Sequence, residues 1–493
     1  ESRGLGDVYK RQVYSCDEEE LNLAPISQLT TGNFYQSSAQ IDQALTGAYS
    51  GLNELYDEMM IRAAIWRGDN SSQTNGYANN LELNISQYNE NAGSQVSTDI
   101  WNTCYAIISR VNLVIDKSTG LDYAEKTSHL GQARFLRALM YYELVRHFGD
   151  VPLVKKPVGL EESFTISRSP SSEVYTFVTS EFEALADVTQ GLSANQNDKG
   201  RPTIYSAFGM AAKAYILQGN YSSAKPHLKS IIDSGKFSMQ ANYADIFMEA
   251  NDNGPHVVFS VQYDKSVAGQ GNAQPQQVPK MAAEIPLNGV TRRQTVSEDL
   301  YNSYEAGDLR RDLTVQNGYT STEDGEFVAD ELFWIKYAKN NQPATFEEWG
   351  VDISIIRYTD VKMLYAEILN SESYPSAEAF SILNEVRIRA GLPAVSSSDL
   401  TSQSAFLDAI IKERRIEFAG ESNRWWDLLR TGKDQTVLSA FALPEYPYNT
   451  NKRLFGIPEA EILKVNDPSI PVSYTHLRAH ETPEHLVCRR LLE

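Results

Sequence analysis

Cysteine is nearly absent: Cys16, Cys104 and Cys488 are the only three in 493 residues. Two of them lie toward the ends and Cys104 is left unpaired, so a disulfide framework is excluded. Cys104 falls in the apolar helical stretch 101–108 and reads as a small buried hydrophobe. No run of 18 apolar residues occurs, so no segment is expected to cross a bilayer as a helix and any membrane attachment would be through lipid. Basic charge is short as well, with 44 Lys and Arg against 64 Asp and Glu and a net charge of −20. That balance argues against nucleic acid, whose recognition needs basic patches. Catalytic signatures are missing too. There is no nucleophile elbow, dinucleotide fingerprint or phosphate loop, and Thr431-Gly432-Lys433-Asp434 lacks the upstream Gly and following Ser or Thr of the last. Carboxylates are so numerous that counting does not exclude a glycosidase pair, but nothing singles one out.

What is present is an apolar fraction of 42%, enough for a sizeable core in two or three domains or one large one. Helical periodicity dominates the first half and the region after 355. Phe135, Leu139, Tyr142 and Val145 form one apolar stripe between Leu130 and Phe148, and Gly149 and Pro152 end that helix. Segments 171–188, 204–218 and 222–234 read the same way. Ala214, Tyr215, Gly219, Tyr221 and Ala224 resemble a tetratricopeptide helix pair, in which small residues admit close approach, and 358–370 with 377–390 is a second such pair. Two regions depart from the pattern. Asp69–Gln95 is polar and rich in Asn, and Gly254–Trp349 mixes β-like runs such as 257–263 with Gln, Pro and Asn connections. Long loops held by a rigid scaffold are where binding residues concentrate, which directs the search for a site there.

The ends differ from the rest. Residues 1–12 and 473–493 resemble translated sequencing-adapter read-through, and three of the seven His (His476, His480, His485) fall in the closing 21 residues. His480 and His485 with Cys488 imitate a metal cluster, but the two His are five apart with Pro483 between them, where a zincin needs i and i+4 on one helix face. No metal or other cofactor is expected, and nothing in the sequence calls for calcium. Val13-Tyr-Ser-Cys16, followed by Asp17-Glu-Glu-Glu20, resembles a lipoprotein processing site with Cys16 as the acylated residue; an ordinary Cys in an acidic linker is the plainer alternative.

The candidate ligand contacts come from the irregular regions. Trp66 stands beside Asp69 and Asn70, with Asn75 and Tyr77 following; Trp334, Tyr337 and Trp349 form a second aromatic group. A ring face suits the C–H side of a pyranose and planar polar groups suit its hydroxyls, although core burial of Trp66 is an equal alternative. Phe333 is the core member if its run is a strand. Arg67-Gly68-Asp69 imitates an adhesion tripeptide, yet three residues carry little information. Arg414, Arg415, Glu417, Glu421, Arg424, Asp427 and Arg430 read as a structural network of paired charges at helical spacing beneath Trp425 and Trp426, as do Arg134 with Arg137 and Arg387 with Arg389.

Four ordered segments carry a family resemblance: 133–154, 357–367, 384–393 and the stretch 413–433, which holds both tryptophans and a helix stop. They resemble the SusD/RagB family of outer-membrane nutrient-binding lipoproteins. The resemblance implies a mostly α fold of about four tetratricopeptide-like pairs, with an irregular loop-rich subdomain carrying short strands. On this reading residues 13–30 are an anchor remnant and linker, and 31–472 a single domain with ligand-binding insertions near 66–95 and 254–349. It further implies a non-catalytic, lipid-anchored protein facing the cell exterior. Such a protein captures an oligosaccharide for a TonB-dependent SusC-like transporter in a starch-utilisation-type system. A peptide-capturing member of the family is the nearest alternative. A glycoside hydrolase, recognisable by two carboxyls about 5–10 Å apart in a cleft, is the alternative from another class, and a pure helical-repeat scaffold a third.

Overall fold

The computed structural model describes residues 34–73, 80–195, 198–273, 275, 282–284, 295–345 and 348–464. Both foreign-looking ends lie outside the described residues, as do Cys16, the His480/His485/Cys488 group, Asn75 and Tyr77. The longer helices are α1 (Ser38–Glu54), α2 (Gln95–Thr119), α3 (Lys126–Phe148), α4 (Ser171–Leu185), α5 (Ile204–Leu217) and α6 (Tyr221–Asp233). They are followed by the strands β1 (Val257–Val261), β2 (Val315–Thr320), β3 (Phe327–Trp334) and β4 (Ile353–Arg357). The chain then returns to helix in α7 (Tyr358–Glu372), α8 (Ala377–Arg389), α9 (Gln403–Glu417) and the short α10 (Arg424–Arg430). The fold is mostly α with few short strands, as the periodicity implies.

Consecutive helices pack as pairs: α2 on α3, α5 on α6, α7 on α8, with α4 bridging α3 to α5. Local chemistry sets their ends. Ser37, Asn220, Ser376 and Ser402 each accept a backbone N–H from the first turn of the helix they precede, and Thr203 and Ser206 form a reciprocal box at the start of α5. The expected single stripe on α3 is corrected by the structure. Every residue from Phe135 to Val145 is buried, Arg137 and Glu143 included, because α2, α4 and α1 cover this helix on several sides. Gly209 on α5 is required by packing: a Cβ there would stand 2.7 Å from Ile356 Cδ1, so α5 lies directly on β4.

The strands form two antiparallel pairs, β1 with β4 and β2 with β3. All five residues of β1 are buried, and β4 runs straight into α7. At the far end of the first pair Asp352 donates its backbone N–H to Asp252 Oδ2 at 3.1 Å, bringing two carboxyls together. Asp352 also accepts from Tyr263 N and Asn253 Nδ2, both at 3.0 Å. Burial raises Asp252 to about 8, helped by the Asp352 and Glu249 charges and opposed by Lys199. Burial raises Asp352 to about 7 against the bonds it accepts. A carboxyl that keeps its proton only when folded stabilises fully below about pH 4 and loses that contribution as pH rises through its folded value. Asp252→Asn, a mimic of the protonated form, is therefore expected to gain about 1 kcal/mol or more on the wild type between pH 5 and pH 9. Urea melts at both values check this; a difference that stays constant would refute the raised Asp252 carboxyl.

Candidate ligand-binding face

The two irregular regions meet. Ser72 donates its N–H to Thr295 O at 2.9 Å, Ser297 N donates to Asn70 O at 2.9 Å, and Ser297 Oγ donates to Asp69 O at 2.7 Å. Ser71 and Val296 form the bridge between these stretches. On the other side of the first loop, Gln73 Nε2 donates to Ser86 O and Gln87 Nε2 donates to Gln73 O at 3.0 Å, closing the base of residues 74–79. The second region is pinned at further points: Asn272 bridges Trp349, Ala282 bridges Ser321, and Thr320 N donates to Glu284 Oε1 at 2.8 Å. The two regions are thus joined at 69–72 and 295–297, and the β2–β3 hairpin of the second region is tied to residues 282–284.

That hairpin supplies the exposed aromatic surface. Phe327 is 62% exposed at the start of β3, opposite Thr320, while Tyr319 opposite Val328 is half-buried. Gly318 makes room for the ring: its φ is +75°, and a Cβ would meet Phe327 Cζ at 2.4 Å. Glu323, Asp324 and Glu326 in the intervening turn are exposed acceptors. Neither Phe327 nor Tyr319 stands out in the sequence, although an aromatic directly after a polar Gly-containing turn is the signal that marks Phe327.

The aromatic residues that the sequence does single out lie inside. Trp66 is 1% exposed in the main core and Trp349 is 0% exposed in a small cluster with Ala282, Phe333 and Ile335. Trp334 and Tyr337 are each 8% exposed. A platform at these four positions is corrected by their burial, because a ring enclosed by protein has no face left for a sugar. Phe333 is the core member expected of it, but its neighbour Trp334 is buried too, since β3 is covered on both faces at that end. Asp69 and Asn70 are committed to the scaffold. Arg424 Nε and Nη2 both donate to the Asp69 carboxylate at 2.8 Å, and Arg415 Nε donates to Asn70 Oδ1 at 2.8 Å. Burial pushes the Asp69 carboxyl up, yet Arg424 and Arg415 overcome it and hold it below the usual range.

Arg67 is no adhesion residue, being fully buried with its guanidinium 4.2 Å from the Trp425 ring centroid and 4.3 Å from that of Phe455. The charges of 413–433 form the structural network expected, with one correction. Glu413 and Glu417 share α9 but Glu421 does not, since α9 ends at Glu417 and Gly420 and Ser422 turn the chain with positive φ. Their partners come from elsewhere. Glu417 accepts from Arg389 at 2.6 Å, Arg357 at 3.2 Å and Arg310 at 3.3 Å, and Glu421 accepts from Arg357 and Lys336. Burial pushes Lys336 down to about 8 despite Glu421 beside it. Arg414 joins Asp360 to Asp427, and Arg430 joins Asp427 to Glu367. Arg134 and Arg137 pair with Glu181.

Comparison with known proteins agrees with this architecture. Residues 230–459 match the model of the SusD family, and residues 21–216 match a second model described as "Starch-binding associating with outer membrane". The chain is 26% identical to SusD-like protein P25 of Formosa agariphila over 91% of this chain and 94% of that one. Surface glycan-binding protein A from Bacteroides fluxus superposes with a TM-score of 0.75 at 22% identity, over 89% of this chain and 98% of that one. Surface glycan-binding protein A from Bacteroides thetaiotaomicron in complex with laminarihexaose superposes with a TM-score of 0.70 at 23% identity, over 87% and 98%. With two matching models side by side along the paired helices and the loop-rich part, the chain belongs to the SusD family.

Proposed function

We propose that this protein captures an oligosaccharide, without chemically altering it, on the face where the two irregular regions meet. The carrying observation is the hydrogen-bonded junction of these regions together with a hairpin of the second region that exposes Phe327. An exposed ring next to carboxylate acceptors offers a sugar both an apolar face and partners for its hydroxyls. Asn75 and Tyr77, from the loop whose base this junction closes, are assigned to the same ligand. Relatives named for starch binding and laminarin binding support the glycan class. Among the described residues no helix is long and apolar enough to cross a membrane. Attachment to the outer membrane through Cys16, and hand-over to a TonB-dependent SusC-like transporter, complete the proposal.

Calorimetric titration with a panel of oligosaccharides, laminarihexaose among them, tests it. Phe327→Ala or Tyr319→Ala is expected to cost about 2 kcal/mol or more of affinity, roughly 30-fold, with Phe327→Ala leaving the melting temperature unchanged. Trp66→Ala and Trp349→Ala are instead expected to lower the melting temperature. A wild type that binds peptides but no glycan, or two hairpin variants that bind as tightly as wild type, would sink the reading.

A further inference from the structure

A concavity lies where α3, α4, α5 and α10 meet the segment 450–454. It measures about 440 Å³, within the range of small-ligand pockets. None of its lining residues comes from the two irregular regions. Its charged lining is of one sign: Arg146, Arg430 and Arg453 face it and no carboxylate does, in a chain with a large excess of acid.

The carboxylates that hold these arginines sit behind them and are buried. Glu143 binds Nε and Nη2 of Arg146, and Asp434 binds Nε and Nη2 of Arg453 at 2.7 and 2.8 Å. Both clamps leave Nη1 outside the ion pair and fix the plane of the guanidinium, so little side-chain entropy remains to be lost on binding. Arg430 is fully engaged by Glu367 and Asp427 and contributes field rather than a free donor.

Trp426 closes one wall of the cleft. The indole lines the cleft and is 7% exposed, with Arg146 4.4 Å above its ring and His147 edge-on at 4.9 Å. Its Nε1 is itself buried and lacks a hydrogen-bond partner among the described residues, so it presents no donor to the cleft. Because its ring is already covered, a ligand meets this wall through the arginine donors rather than by stacking on the indole. Thr450 and Asn451 supply further polar groups, and Leu217, Leu429 and Leu454 supply an apolar patch. A donor-rich wall with an apolar patch fits a small ligand that carries a carboxylate on a ring of hydroxyls and C–H faces. We infer that this cleft binds a uronic-acid unit, separately from the neutral oligosaccharide assigned to the loop face.

The test is titration of the full chain at low salt with glucuronate, glucose and sodium sulfate. Glucuronate is expected to bind at least about tenfold tighter than glucose, the size of one charge-assisted bond. Arg453→Gln is expected to remove that preference. Since Asp434 loses its partner in that variant, Asn451→Trp serves as the second: Asn451 is exposed, and a bulky ring there fills the cleft without breaking an ion pair. Both variants are expected to keep oligosaccharide capture at the loop face. Equal affinity for glucuronate and glucose, sulfate binding as tightly as glucuronate, or an Asn451→Trp variant that binds glucuronate like wild type would each overturn the assignment.

Discussion

Trp425→Ala is expected to lower the free energy of unfolding by about 3–5 kcal/mol, the cost of emptying a buried tryptophan site. The ring is 0% exposed and stands edge-on to Tyr448 at 6.2 Å. Its loss also bares Arg67, whose guanidinium lies 4.2 Å from the Trp425 ring centroid and 4.3 Å from that of Phe455. Among the described residues only Glu90 faces that arginine as a counter-charge, at 3.2 Å, and burial has already lowered Arg67 and raised Glu90 relative to their ordinary values. Opening a cavity beside such a charge admits water to it, which offsets part of the loss. The upper end of the range therefore applies only if the site stays dry. Urea melts measure the effect, and glycan titration of the folded variant measures its selectivity. A Trp425→Ala variant that melts like wild type yet binds no glycan would move Trp425 from scaffold to ligand contact.

The helices were legible because apolar residues recur at a helical period and because turn residues such as Gly149 and Gly219 mark their ends. What the period does not reveal is how many sides of a helix are covered, which is why α3 reads as one stripe in sequence and is buried all round in the fold. The charge network was legible in kind and not in partners. Arg424 meets Asp69 across 355 residues and Arg310 meets Glu417 across 107, so neighbour spacing along one helix names the wrong pairs. The candidate face was legible as two regions that break the helical rule. Within them, an isolated aromatic gives no sign of which way it points. Trp66 and Trp349 went to the core, while Phe327 was left outside by a two-strand turn whose geometry depends on Gly318.

Glu417→Ala is expected to cost about 3–5 kcal/mol, because it removes one partner from a buried charge cluster. The loss falls unevenly on its three arginines. Arg357 keeps Glu421, and Arg310 keeps Asp308 at 2.7 Å and Glu413 at 2.6 Å. Arg389 keeps no carboxylate among the described residues, only the Tyr243 ring 5.7 Å from its guanidinium: its Nη2 donates to Glu417, and its Nε and Nη1 already lack hydrogen-bond partners among the described residues. An uncompensated guanidinium with only 5% of its side chain exposed is the source of the penalty. Removing that charge as well, in Glu417→Ala/Arg389→Met, is therefore expected to recover at least half of the loss, a coupling that a double-mutant cycle reads directly. The pH dependence carries the opposite sign to that of the Asp252/Asp352 pair. Burial raises the Glu417 carboxyl, but Arg389, Arg357 and Arg310 outweigh it and hold the group at about 2. Its contribution is thus complete above an ordinary glutamate value near 4.3 and is lost as pH falls toward 2. The gap between wild type and Glu417→Gln is expected to narrow over that interval. A double variant no more stable than Glu417→Ala, or a gap that does not change with acid, would show that the cluster holds Arg389 by packing and not by charge.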